Sequence, residues 1–223
     1  MPTPIFFRPV FAALLILIFL LAAIAGGPAN GLETRLMEQM AIVRGNSPQL
    51  ARAALIVTQF GSAPATLGAA AAGSLWLLFR RAPGRAFLLA GTVIAERLLV
   101  DGLKLWIGRP RPPLDILPHS MAFPSGHSAN SMTAFVATAL LACPAAYRGV
   151  ALTMALSATF VIGLTRLILG VHWPSDVIGG WSFGLLAVTV AVIAGRRSGA
   201  LSLEAQHDVI GGHRLPPGKD EAA

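Results

Sequence analysis

Only one cysteine, Cys143, and one tyrosine occur in the 223 residues, and charged residues make up 12% of the chain. A single cysteine excludes a disulfide framework. Soluble domains carry about 25% charged residues, so half that level argues against an ordinary soluble globule. Lysine is almost absent, with Lys104 and Lys219 standing against many arginines. The net charge of +7 would suggest nucleic acid in a soluble chain. Here the arginines sit mainly at the ends of apolar runs, where the plainer reading is topological. No nucleic-acid partner is expected.

What is present is apolar sequence, 55% of the chain, in long uninterrupted stretches. At ~20 residues per crossing they suffice for one all-α membrane bundle of six transmembrane helices. The predicted spans run from Val10 to Ala25, Ala63 to Phe79, Ala86 to Ile107, Ser125 to Pro144, Val150 to Leu169 and Ser175 to Ala194. The first also fits a secretory leader, since Ala-Ile-Ala precedes Gly26; a retained helix is the preferred reading. Between the first two spans, Leu32 to Val43 mixes charged and apolar residues as an amphipathic helix at the interface does. Ser47-Pro48 offers a cap and a first helical residue for another start. Gly68, Gly73 and the alanines between them suit close helix packing. Residues 1–197 form one membrane domain, and residues 198–223 a polar, poorly ordered cytoplasmic tail.

Six spans place Arg8, the Arg80–Arg85 loop, Arg148 and Arg196-Arg197 on one side, which the positive-inside rule makes cytoplasmic. Three clusters then meet at the opposite, outer face. They are Lys104 to Pro112 closing the third span, Pro124-Ser125-Gly126-His127 opening the fourth, and Thr165-Arg166 with His172 and Asp176 between the fifth and sixth. Each has a bland explanation alone: snorkelling cations, a helix cap, interfacial histidines. Ionisable residues gathered at one membrane depth are costly and usually functional.

The residue types suit one chemistry. Cations clamp a phosphoryl group, arginine offering a planar fork to its oxygens. A helix start at Ser125-Gly126-His127 presents backbone N–H groups to an anion, and glycine allows close approach. One histidine can attack phosphorus while another protonates the leaving oxygen, and Asp176, four residues after His172, can fix a ring tautomer. No carboxylate cluster lies at the outer face, so neither a metal nor another cofactor is expected. Asp101 has Arg97 and Lys104 at helical spacing as pairing partners, whereas Glu96 has no evident role. His119, His207 and His213 lie in polar segments and are expected to be solvated.

These residues resemble the type-2 phosphatidic acid phosphatase superfamily, which also contains the vanadium haloperoxidases. Its motifs read K-x6-R-P, P-S-G-H and S-R-x5-H-x3-D. Lys104, Arg111 and Pro112 fill the first, Pro124 to His127 the second, and Arg166, His172 and Asp176 the third, where Thr165 replaces serine. The resemblance implies that His172 forms a phosphohistidine held by Asp176, with His127 as acid and then as base for water. It implies that Lys104, Arg111, Ser125, Gly126 and Arg166 bind the phosphoryl oxygens.

The expected protein is a metal-independent lipid phosphatase of a bacterial inner membrane, its site facing the periplasm. Undecaprenyl diphosphate is the first-choice substrate, ahead of phosphatidylglycerol phosphate, phosphatidic acid and lipid A. A haloperoxidase, whose relatives are soluble, and a non-catalytic lipid transporter or scaffold are the rival readings. Nothing in the sequence addresses oligomeric state.

Overall fold

The computed structural model describes residues 9–113 and 120–201. Asp115, His119, His207, His213 and nearly all of the tail lie outside them. The described residues form α1 (Pro9–Ala25), α2 (Gly31–Asn46), α3 (Pro48–Thr58), α4 (Ala63–Phe79), α5 (Pro83–Ile107), α6 (Gly126–Leu141), α7 (Arg148–Ile168) and α8 (Pro174–Arg197). The architecture is all-α, and the apolar runs coincide with helices to within a few residues.

Length and composition alone mark fewer crossings than the runs suggest. α8, and α7 with its preceding turn, are long and apolar enough to span a bilayer. α3 and α4 meet the same test as a pair bent by 43°. The break falls at Ser62, which is extended, just before Pro64 in the first turn of α4; proline lacks the N–H needed to continue the preceding helix. The element predicted from Ala63 is therefore the second arm of a longer bent unit. α5 carries Arg85, Glu96, Arg97, Asp101 and Lys104 within its 25 residues. α6 has 16 residues, about 24 Å at 1.5 Å per residue, short of a ~30 Å hydrocarbon core.

α6 is short because protein, not lipid, surrounds it. Its small and hydroxyl-bearing residues from Ser128 to Thr133 are all buried, and α4, α5, α7 and α8 pack around it. On α8, a Cβ at Gly180 would fall 2.7 Å from the Ser125 carbonyl, and one at Gly184 2.7 Å from that of Ala129. This small-residue pair lets the two backbones touch and draws the start of α6 against the start of α8. Gly73 is similarly tight against Leu89 and Thr138, whereas Gly68 faces open space, so only one of the two predicted packing glycines serves that purpose.

α1 packs along α8, with Phe19 against Phe123 and Phe183 at ring separations of 5.2 and 5.5 Å. The first apolar run thus packs against the bundle. α2 forms where the amphipathic segment was expected, but its buried residues are Glu33 and Met37, while Leu32, Leu36 and Ile42 are exposed. Its inward face carries a carboxylate.

Candidate active site

Each motif sits where a helix ends or begins. α5 closes at Gly108 in the left-handed conformation, φ 65°, which glycine adopts without a Cβ clash. The chain then doubles back, the Ala122 N–H bonding the Arg109 carbonyl at 2.8 Å. This turn delivers Arg109 and Arg111 to the start of α8. Ser125 is the N-cap of α6, and Trp173 that of α8.

His172 lies between α7 and α8 and is 1% exposed. Its Nδ1 is 3.3 Å from Oδ2 of Asp176, which also accepts the Trp173 N–H at 2.8 Å. With its proton on Nδ1, the ring donates to Asp176 and keeps the Nε2 lone pair. Burial, and then the charges of Lys104, Arg111 and Arg166, push the imidazolium well below the ordinary histidine range; the Ala122 carbonyl acts in the opposite direction. The ring is therefore neutral at neutral pH, as a nitrogen nucleophile must be. His127 belongs to the same cluster, within electrostatic reach of His172, Arg166, Lys104 and Arg111.

The cations are held by oxygens around the pocket. Lys104 Nζ donates to the Met121 carbonyl at 2.9 Å. Arg111 donates to the Ser120 carbonyl, the Ser120 hydroxyl and the Val171 carbonyl. Arg166 donates to Thr58 Oγ1 at 2.8 Å, while its buried Nε–H makes no hydrogen bond. A buried, unsatisfied charged donor is costly, and an anion in the pocket would satisfy it. The fully buried Ser125 hydroxyl accepts from Ser128 at 3.1 Å. Its backbone N–H bonds the Asp176 carbonyl at 2.9 Å. That group is thus not open to a phosphate, contrary to the expectation for the helix start. Gly126 faces Lys104, and a Cβ there would make only ordinary contacts. All eight predicted site residues meet at this one place.

Thr165 turns its hydroxyl to the Ile162 carbonyl of its own helix. The hydroxyl thus serves its own backbone, a bond that serine could make equally. Asp101 is exposed and enters no salt bridge among the described residues. Instead, in the orientation that satisfies its amide, Asn130 links Glu96 and Arg97 at 3.3 and 3.0 Å. The buried Glu96 thereby gains a structural role, and the predicted Asp101 pairing gives way to it.

Four residues that support the site were not among the predicted site residues. Arg109, 6% exposed, pairs with Oδ1 of Asp176 at 2.8 Å. It also reaches the Ser175 hydroxyl and the Ala22 and Ala23 carbonyls ending α1, and it stacks 4.4 Å over the Phe123 ring. Glu33 accepts from the N–H groups of Gly27 and Ser175, both at 2.7 Å, and from the Ser175 hydroxyl. α1 and α2 are thereby tied to the carboxylate that orients His172. The motif spacing named Arg111 and passed over Arg109; a second arginine within Gly-Arg-Pro-Arg-Pro was the available signal. Glu33 had none, since its partners are distant in sequence. Thr58 and Gly61, at the α3–α4 break, press on Arg166 and His127 and were equally invisible.

The cluster has the parts that a phosphoryl-transfer site needs: an imidazole oriented by a carboxylate, a second histidine and three cations. Comparison with known proteins agrees. The PAP2 superfamily model matches residues 85–199. The chain belongs to the PAP2 superfamily. Phosphatidylglycerophosphatase B of Bacillus subtilis is 29% identical over 187 residues, covering 81% of this chain and 91% of that one. A lipid A 1-phosphatase of Rhizobium johnstonii is 36% identical over 122 residues, about half of each chain. The crystal structure of a transmembrane PAP2-type phosphatidylglycerolphosphate phosphatase from Bacillus subtilis superposes with a TM-score of 0.76 at 26% identity. It covers 83% of this chain and 96% of that one. The chain is a multi-pass membrane lipid phosphatase of this metal-independent phosphomonoesterase superfamily.

Proposed function

We propose that this PAP2 phosphatase hydrolyses the phosphomonoester of phosphatidylglycerol phosphate at the outer face of a bacterial inner membrane. His172 Nε2 attacks phosphorus as the ester P–O bond breaks, and His127 gives its proton to the departing lipid alkoxide. Water then attacks the phosphohistidine, His127 takes its proton, and inorganic phosphate leaves. Asp176 holds the tautomer and stabilises the charge that develops on His172. Lys104, Arg111, Ser125, Gly126 and Arg166 bind the phosphoryl oxygens, whose charge these donors offset in the transition state. No step calls for a metal. The observation that carries this reading is the buried His172 bonded to Asp176 among cations, one of which retains an unsatisfied N–H.

The substrate choice rests on the relative that matches along nearly its whole length, and it displaces undecaprenyl diphosphate from first place. In the proposed topology α1, the bent α3–α4 unit, α5, α6, α7 and α8 are six crossings. The Arg80–Arg85 loop and the tail are then cytoplasmic. The test is phosphate release by purified protein from phosphatidylglycerol phosphate, phosphatidic acid, lipid A and undecaprenyl diphosphate. The highest kcat/KM is expected for the first. A higher value for undecaprenyl diphosphate would overturn the substrate assignment, and no release from any would overturn the catalytic one.

A further inference from the structure

At the other end of the bundle, α4 and α6 end where α5 and α7 begin, and they enclose a cavity of about 290 Å³. Arg148 and Arg166, at the two ends of α7, are separated by about 27 Å at 1.5 Å per residue, so this cavity is remote from His172. Arg80, Arg85 and Arg148 line it, with Trp76, Leu77 and Cys143, and no acidic residue does so among the described residues. Two helix N-termini and two C-termini converge here, so their dipoles oppose one another. The remaining field is that of the arginines.

Arg85 is 9% exposed. Its Nε–H and that of Arg148 are buried and make no hydrogen bond. The two guanidinium groups are near enough to repel one another. A cation that merely snorkels keeps its head in water, whereas Arg85 keeps its own inside. The buried Arg85 and the half-buried Arg148, each with a buried Nε–H that makes no hydrogen bond, form half of an ion pair whose other half is an anion. Arginine forks match the tetrahedral oxygens of phosphate best. The volume sits at the lower edge of ligand clefts, ~300–1,000 Å³, which suits a headgroup rather than a whole lipid.

We infer that the cavity lined by Arg85 and Arg148 is a second phosphate-binding site, separate from the hydrolytic one, which takes an anionic phospholipid headgroup or free phosphate. Among its lining residues Cys143 is the one nucleophile, and no histidine or carboxylate stands beside it as a base, so the site binds without turning over.

Cys143, the single cysteine of the chain, lines the cavity and reports on it directly. The experiment measures alkylation of Cys143 by N-ethylmaleimide in the full-length protein in neutral detergent at constant ionic strength. The additions are dioctanoyl phosphatidylglycerol, inorganic phosphate or dioctanoylglycerol. Phosphatidylglycerol is a phosphodiester, so a monoesterase leaves it intact. At ten times the half-saturating concentration about nine sites in ten are filled, and labelling slows about tenfold. Protection by phosphate equal to that by the lipid assigns a free-phosphate site; protection by the lipid alone assigns a headgroup site. Arg148→Gln and Arg85→Gln/Arg148→Gln lose the protection, and the half-buried Arg148 decides alone should the double variant fail to fold. Labelling indifferent to both phosphate ligands, equal protection by dioctanoylglycerol, or undiminished protection in Arg148→Gln would overturn the inference.

Discussion

The two histidines differ in what the leaving group demands of them. A lipid alkoxide leaves poorly without a proton, whereas nitrophenolate leaves well unprotonated, and general acid–base groups contribute ~10²–10⁴-fold. His127→Ala is therefore expected to lose lipid turnover but to give a burst of nitrophenolate from p-nitrophenyl phosphate, followed by slow turnover. His172→Ala gives neither burst nor turnover. Rapid-mixing absorbance at enzyme concentrations comparable to one turnover of product separates the two. A burst from His172→Ala, or equal losses on both substrates for His127→Ala, would reverse the roles. Burial and neighbouring cations depress the pKa of His172, so loss of its lone pair sets in only when pH falls below the ordinary ~6.5. His172 protonation is expected to set an acid limb of kcat/KM below pH 6.5, and an acid limb at or above 6.5 would contradict that assignment; His127, as the proton donor of this step, would instead set the alkaline limb.

Arg109 belongs to the same scale, because it acts through Asp176 rather than on substrate. Removing one partner of a buried ion pair costs about 3–5 kcal/mol. Arg109→Gln is expected to lower stability and kcat together. Glu33→Gln keeps its shape and loses only charge-assisted bonds to Gly27 and Ser175, so its loss of stability is smaller. If both act by positioning, KM for lipid changes little while the acid limb moves; an unchanged pH profile would leave them a purely structural role.

Helices reach this site only because some can touch. Gly180 and Gly184 let α8 lie against α6, whereas Gly68 on α4 has nothing near it. Gly184→Ala puts a methyl into the Ala129 carbonyl, and overpacking costs typically 1–3 kcal/mol. Gly68→Ala instead adds helix propensity worth roughly 0.5–1 kcal/mol. In a chain of this size a change of 1 kcal/mol moves Tm by about 2–4 °C. Thermal unfolding in detergent should thus drop for Gly184→Ala and hold or rise for Gly68→Ala. A Gly184→Ala protein as stable as wild type would refute the contact. α1 and α2 show the same dependence in another form. α1 lies along α8 while α2 packs more sparsely, and carbonyls at the end of α1 and the Glu33 carboxylate bind the groups that hold Asp176.

For the whole molecule the proposal is that charge decides orientation. Arginines cluster at the end formed by the α4–α5 and α6–α7 turns, while the phosphoryl site occupies the opposite end. Single cysteines at Arg81 and Pro113, in a Cys143→Ser background, are expected to label from opposite faces of sealed vesicles with an impermeant maleimide. Labelling from the same face would rule out the six-crossing arrangement.

The sequence by itself determined the class of molecule and which residues gather at its candidate site. Apolar runs must become helices in lipid, since every backbone polar group there needs an internal partner. The motif residues are ordered along the chain at helix ends, so their convergence on one face follows from alternating spans. Tertiary structure decided what supports them. Arg109, Glu33, Thr58 and Gly61 have partners far away in sequence, and no local period encodes a contact across such separations. The break at Ser62 follows locally from Pro64, whereas the shortness of α6 goes with the protein packed around it. A helix enclosed by protein follows the space its neighbours leave, and a buried charge takes its meaning from the group that meets it.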